Sequence, residues 1–132
     1  MKTGDLKDYF QAASGVGILA TADVTGKVNA AVYGKPHFMD DETLAFIMAE
    51  RLTLRNLQSN PYACYIFRES GEGYRGRRLY LTKTKEVADN KLADELRRGI
   101  RHGDPDKQAD RQSHVVYFHL DKALPLVGTG EA

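Results

Sequence analysis

Two arginines lie four residues apart in Glu50-Arg51-Leu52-Thr53-Leu54-Arg55, between an apolar run and the helix-stopping pair Asn60-Pro61. Four residues make about one helical turn, so both guanidinium groups can leave the same side of a short helix. The run before them, Leu44-Ala45-Phe46-Ile47-Met48-Ala49, reads as a strand covered on both faces. Leu54 and Leu57 give the helix one buried side. Asn60-Pro61 ends it, because proline disfavours helical geometry in the residue before it. Tyr62-Ala63-Cys64-Tyr65-Ile66-Phe67 then resumes as strand. Such a junction offers helix N-terminal N–H groups, the Thr53 hydroxyl and two guanidinium groups, a fit receptor for a phosphate dianion. The same residues also fit a solvated helix face, with Arg51 and Arg55 paired to Glu50 and Thr53 a simple N-cap.

Other elements must hold this junction in place. Leu6, Tyr9, Phe10 and Ala13 follow the i, i+3, i+4, i+7 rule and predict an amphipathic helix over 4–13. Val16 to Asp23 and Lys27 to Lys35 read as strands joined by a turn containing Gly26. His37-Phe38-Met39 is a further short strand, and Asp40-Asp41-Glu42 turns into the apolar strand. Beyond Tyr62 come a glycine-rich loop and a strand from Arg77 to Val87. Leu92, Leu96 and Ile100 space a second amphipathic helix ending near Gly103 and Asp104-Pro105. The last strand, Ser113 to Asp121, is apolar on both faces at Val115, Val116, Tyr117, Phe118 and Leu120, and the tail from Leu124 reads as extended. Six or so strands with few helices predict a mainly β fold, a closed antiparallel barrel with helical additions.

Composition narrows the function classes. At 132 residues, with no repeat or linker, residues 1–132 are expected to form a single domain. A formal charge of +1 predicts no strong attraction to nucleic acid or membrane. No apolar run approaches the ~20 residues that span a bilayer, and the N-terminus lacks a signal-peptide apolar segment. The single cysteine, Cys64, reads as a buried strand thiol, and its solitude suits a reducing cytoplasm.

Gly71-x-Gly73-x-x-Gly76 matches a dinucleotide fingerprint by letter. The strand-like Leu79-Tyr80-Leu81-Thr82 follows where a helix is needed, so a hairpin loop is expected. Its Arg75, Arg77 and Arg78 fit a reach toward a ligand phosphate or partner subunit, or a solvated basic loop. His37 and His102 are far apart, and His114 and His119 fall on opposite faces of one strand, so no metal site is expected. Asp40-Asp41-Glu42 and Asp104-Pro105-Asp106 read as turns, and no nucleophile–base pair stands out.

The wording adds a resemblance. Gly17-Ile18-Leu19-Ala20-Thr21, the turn at Thr25-Gly26-Lys27, Val28-Asn29-Ala30-Ala31-Val32-Tyr33, and then Arg51-x-Thr53-x-Arg55-Asn56-Leu57-x-x-Asn60-Pro61 resemble the FMN-binding split-barrel family. That family includes pyridoxamine 5′-phosphate oxidases and small bacterial FMN-binding proteins. The likeness covers residues 5–90, and the C-terminal third matches only in general character. It implies an antiparallel split β-barrel, homodimeric, with FMN between the subunits. Arg51, Thr53 and Arg55 would then hold the FMN phosphate. Backbone groups of Asn29, Ala30, Ala31 and Val32, and of Met48, Ala49 and Glu50, would meet the isoalloxazine edge. The flavin would carry the redox chemistry, so no catalytic side chain is expected.

The implied activity is that of a flavin reductase or small electron-transfer protein, cytoplasmic, with a small-molecule redox substrate or an electron-transfer partner. Asp121-Lys122-Ala123-Leu124-Pro125 lacks the arginine of the substrate-holding C-terminal segment in pyridoxamine phosphate oxidases, so vitamin B6 oxidation is not the expected activity. The resemblance also implies that the loop from Tyr74 to Arg78 and the tail after Leu124 wall the partner's site. Exposed apolar residues are expected on the last strand and tail, where a dimer would bury them. Two alternatives stand: a haem- or deazaflavin-binding member of the same barrel, which a free His37 would favour, and an oligonucleotide-binding barrel without enzymatic activity.

Overall fold

The computed structural model describes residues 3–40, 42–98 and 112–128. Helix α1 (Thr3–Ala12) leads into β1 (Gly15–Ala22), β2 (Val28–Tyr33), β3 (His37–Phe38) and β4 (Thr43–Met48). Helix α2 (Leu52–Ser59), β5 (Tyr62–Glu69), β6 (Gly76–Ala88), helix α3 (Asn90–Arg97) and β7 (His114–Pro125) follow. The strands form one antiparallel sheet in the order β2-β1-β5-β6-β7-β4-β3.

The sheet is open, which corrects the expectation of a closed barrel: β2 and β3 are its two ends, and no ladder joins them among the described residues. It nevertheless curls on itself. Tyr33 on β2 lies edge-on to Phe46 on β4, with ring centroids 6.0 Å apart, although four strands lie between β2 and β4 in the sheet order. Side chains fill the split in place of backbone hydrogen bonds. Phe46 also meets Tyr65 (5.1 Å) and Phe118 (5.9 Å) inside the curl.

The period-two and period-3.6 patterns of the sequence explain what each element buries. Along β4, Leu44, Phe46 and Met48 enter the main core, while Ala45 and Ile47 face the other way, toward Leu92 and Leu96 of α3 and Val115 of β7. That second layer is why the strand is apolar on both faces. Leu6 and Phe10 of α1 are buried, and Phe10 packs on Phe38 and Phe67. Burial of one such side chain contributes ~1.5–3 kcal/mol. Helix α3 opens with an N-cap, the Asp89 side chain accepting from Leu92 N–H at 3.0 Å. Its predicted continuation through Ile100 to Gly103 lies outside the described residues.

The glycine-rich stretch is the β5–β6 hairpin connection, with Arg68 donating to the Gly71 and Gly73 carbonyls. Gly76 is required by close approach: a Cβ there would overlap the Phe67 carbonyl oxygen. The last strand runs on to Pro125, so Leu124 and Pro125, the start of the expected extended tail, are part of the sheet. Of the last strand and tail, only the tail exposes a large apolar residue, Val127; most of the others lie on the first hairpin and β5, at Val16, Ile18, Val28, Val32 and Tyr62. β7 is instead the buried fifth strand of the order, flanked by β6 and β4. No helix among the described residues is long and apolar enough to cross a membrane.

Candidate functional site

Strand β4 ends with Met48 in the core, and the chain then turns sharply, Arg51 N–H donating to the Ala49 carbonyl at 2.8 Å. Ala49 is half-buried and Glu50 exposed. Arg51 takes the N-cap position of α2 with extended backbone and supplies no side-chain cap. The first-turn amides therefore keep the unsatisfied donors and partial positive charge of a helix start. The helix stops as expected, with Asn60 extended before Pro61.

Thr53 is not the N-cap. It lies two residues further on, is buried, and turns its hydroxyl inward to accept from Asn29 Nδ2 of β2 at 3.4 Å. The Tyr33 hydroxyl meets the same Thr53 side chain. Burial pushes the Tyr33 phenol above its ordinary value, while Thr53 and the nearby Arg51 charge pull it back. Tyr33 is a residue that sequence reasoning missed. Its signal was present: Asn29, Ala31 and Tyr33 alternate onto one face of β2, which puts Tyr33 beside the helix start.

The Asn-x-x-x-Asn spacing of the α2 string has a structural role. Asn56 Nδ2 donates to Thr21 Oγ1 of β1 at 3.1 Å, and Asn60 Nδ2 donates to the Asp23 carbonyl at 3.4 Å. Together with Asn29 and Thr53, these contacts fasten α2 to the first hairpin along its length. They set β2 beside the strand–helix junction that the sequence singled out.

Arg51 and Arg55 are both exposed, and neither guanidinium group makes a hydrogen bond or ion pair among the described residues. Their expected neighbour Glu50 is engaged elsewhere: its Oε1 lies 3.0 Å from His114 Nε2 on β7. The pairing with Glu50 that the sequence also allowed is not made among the described residues. Among the described residues, two guanidinium groups are left without a carboxylate at an uncapped helix start. β2 completes the neighbourhood as an edge strand, hydrogen-bonded to β1 alone among the described strands. On its other edge, alternate residues of the run Asn29, Ala30, Ala31 and Val32 present backbone groups that have no strand to pair with among the described residues.

Of the three loop arginines, Arg75 is exposed, while Arg77 and Arg78 are engaged. Arg77 stacks over Tyr9 with its guanidinium 4.2 Å from the ring centroid. Arg78 donates from Nε to the Pro125 carbonyl at 3.0 Å, and from another nitrogen to the Gly128 carbonyl. Both arginines thus brace the fold from within. Tyr74 is exposed. His37 is half-buried and not without a partner, so the free histidine that would favour haem is not present at that position. Cys64 is half-buried; burial raises its thiol pKa and the Arg78 charge partly offsets this. His119 sits between Asp121 (2.8 Å) and Glu42 (3.3 Å). Asp121 also accepts from Thr82 at 2.5 Å.

No protein-family model and no curated protein matches this sequence. Solved structures do. An FMN-binding protein from Syntrophomonas wolfei subsp. wolfei superposes with a TM-score of 0.73 at 17% identity, covering 90% of this chain and 82% of the other. HupZ of Group A Streptococcus gives 0.72 at 21% identity, over 100% and 99% of the two chains. An F420 reductase gives 0.62 at 21% identity, over 88% and 94%. Proteins of the pyridoxine phosphate oxidase kind are among the further matches. The chain has the split-barrel fold. At these identities the likeness is one of fold, and the split-barrel resemblance read from the first hairpin and the α2 string agrees with it.

Proposed function

We propose that this split-barrel protein binds FMN, with the phosphate at the start of α2 and the isoalloxazine edge along β2 and the end of β4. The observation that carries this reading is the pair of unpartnered guanidinium groups, Arg51 and Arg55, beside an uncapped helix start. The donor set fits the group. A phosphate monoester carries close to two negative charges near neutral pH. It is matched by two charge-assisted donors one turn apart and by first-turn amides, including that of Thr53. The Thr53 hydroxyl, committed to Asn29 and Tyr33, positions that amide. Backbone groups of Asn29, Ala30, Ala31 and Val32, with those of Met48, Ala49 and Glu50, meet the ring edge.

Bound FMN supplies one- and two-electron redox chemistry. The chain's own residues bind and orient it, and none is assigned a proton. The reading is therefore a flavin reductase or small electron-transfer protein, serving a small-molecule redox substrate or an electron-transfer partner in the cytoplasm. A second copy of the chain closes the site. The outer face of the first hairpin, with Val28 84% and Val32 74% exposed, is the apolar surface such a homodimer buries. A deazaflavin is the second reading, favoured by the likeness to an F420 reductase and served by the same phosphate receptor.

The visible spectrum of the purified protein tests the cofactor. Flavin absorbance released on heating and identified as FMN supports the reading. Titration of cofactor-free protein with FMN and with riboflavin tests the phosphate site, and equal affinity for the two would overturn it.

A further inference from the structure

The carboxylate of Glu50 is where it is least expected. It directly precedes the N-cap Arg51, and a negative side chain at a helix start is drawn to the first-turn amides and any nearby guanidinium. Left to itself, it would occupy the same donors that a phosphate needs. Instead its Oε1 lies 3.0 Å from His114 Nε2, across on β7.

We infer that His114 is a positioning residue that keeps the phosphate receptor open by holding the Glu50 carboxylate away from Arg51 and Arg55. This rests on the anion-site reading above. Three observations support it. His114 cannot swing to follow Glu50, since it is 7% exposed and its strand position is set opposite Met48 of β4 and Ala88 of β6. Its other ring nitrogen, Nδ1, lies 3.1 Å from Glu86 Oε2, a charge contact without hydrogen-bond geometry. Glu86 in turn is fixed by Lys83 Nζ at 3.0 Å and by Gln58 Nε2 of α2 at 3.1 Å.

The chain of contacts therefore leaves α2 at Gln58, crosses β6 and β7, and returns to the residue before the α2 N-cap. It ties the holder of Glu50 to the helix whose start it protects. Lys83 also donates to the Leu57 carbonyl at 3.3 Å, which fixes β6 against the far end of the same helix. Glu50 itself remains largely exposed, so the contact does little for stability. Its consequence falls on binding.

The test compares FMN and riboflavin binding by flavin fluorescence in wild type, His114→Phe, His114→Gln, Glu50→Gln and the His114→Phe/Glu50→Gln double variant, all at one pH. Phenylalanine keeps the ring volume and removes the donor; glutamine keeps a donor for Glu50. His114→Phe is expected to weaken FMN about fivefold, the scale of an exposed ion pair, and to leave riboflavin unchanged. The double variant recovers wild-type FMN affinity, because the competitor has lost its charge. His114→Gln stays close to wild type. A His114→Phe protein with wild-type FMN affinity overturns the inference while leaving the flavin reading intact, as does a loss that persists in the double variant. Should His114→Phe fail to fold, a Glu50→Gln variant that binds FMN more weakly than wild type overturns it equally. A wild type that binds no FMN overturns the flavin reading, and this inference with it.

Discussion

Asn56 Nδ2 donates to Thr21 Oγ1 at 3.1 Å, and both residues are buried, 5% and 4% exposed. This one contact joins the middle of α2 to β1 and so helps determine where the helix start points. Replacing Asn56 by alanine leaves the Thr21 hydroxyl buried without a partner, at a cost of about 1–3 kcal/mol. Chemical denaturation of Asn56→Ala should show that loss. An Asn56→Leu/Thr21→Val variant should regain most of it, since both polar partners are then gone. A loss confined to FMN affinity, with an unchanged denaturation midpoint, would contradict the structural assignment.

Arg51 and Arg55 carry the sharpest binding prediction. Each unpartnered guanidinium is placed to donate to a phosphate, and a hydrogen bond to a charged group is worth about 1.5–3 kcal/mol. Solvent exposure puts these at the low end, so Arg51→Ala and Arg55→Ala should each weaken FMN about tenfold. The double variant should bind FMN no better than riboflavin. Added salt should weaken wild-type FMN binding more than that of the double variant, because screening acts on the charges that only wild type has. Thermal unfolding should not move, as neither side chain supports another.

What was legible in the sequence was local. The alternation of Leu44, Phe46 and Met48 against Ala45 and Ile47 gave a strand with two covered faces, and the spacing of Leu6, Tyr9, Phe10 and Ala13 gave α1. The junction between β4 and α2 was readable too, because a strand, a charged turn and a proline stop are contiguous. What the pattern could not carry was neighbourhood. His114 and Glu50 are 64 positions apart, and only the pairing of β7 with β4 brings them together. Nothing in either segment records that pairing. The same holds for the split: Tyr33 reaches Phe46 through the curl of the whole sheet. The N-cap alternative for Thr53 fails for a related reason, since a threonine hydroxyl serves a helix start or a buried strand contact equally well.

His119 supplies a pH prediction. Hydrogen bonds from its ring to Asp121 and to Glu42, with the charges of both, raise its pKa above the ordinary 6.5. A group whose folded pKa is raised adds stability that is fully present below its unfolded pKa and is lost as pH rises through the folded one. The denaturation midpoint of wild type should therefore fall, relative to His119→Gln, as pH rises from the ordinary histidine value upward. The effect is small because the ring is solvent-screened, 45% exposed at the side chain. A midpoint difference that grows with rising pH would reverse the sign and refute the assignment.

The outer face of the first hairpin gives the last prediction. Val32 of β2 stands opposite Ile18 of β1, and Ile18 opposite Ile66 of β5, so one cross-strand row is aliphatic over three strands before it meets Arg78 on β6. Val32 and Val28 near the sheet edge are among the most exposed apolar residues described. A large aliphatic patch beside an unpaired edge strand is a liability in water unless another surface covers it. Under the dimer reading, Val32→Lys should convert the protein to a monomer in sedimentation velocity, because two like charges would meet across a two-fold interface. The monomer itself should stay folded, with an unchanged far-UV spectrum, since Val32 contributes nothing to the core. FMN should bind it more weakly, as the second wall of the site is lost while Arg51 and Arg55 remain. A Val32→Lys protein that sediments as wild type would place the contact between copies elsewhere, and a wild type that is monomeric at high concentration would remove the second subunit from the site altogether.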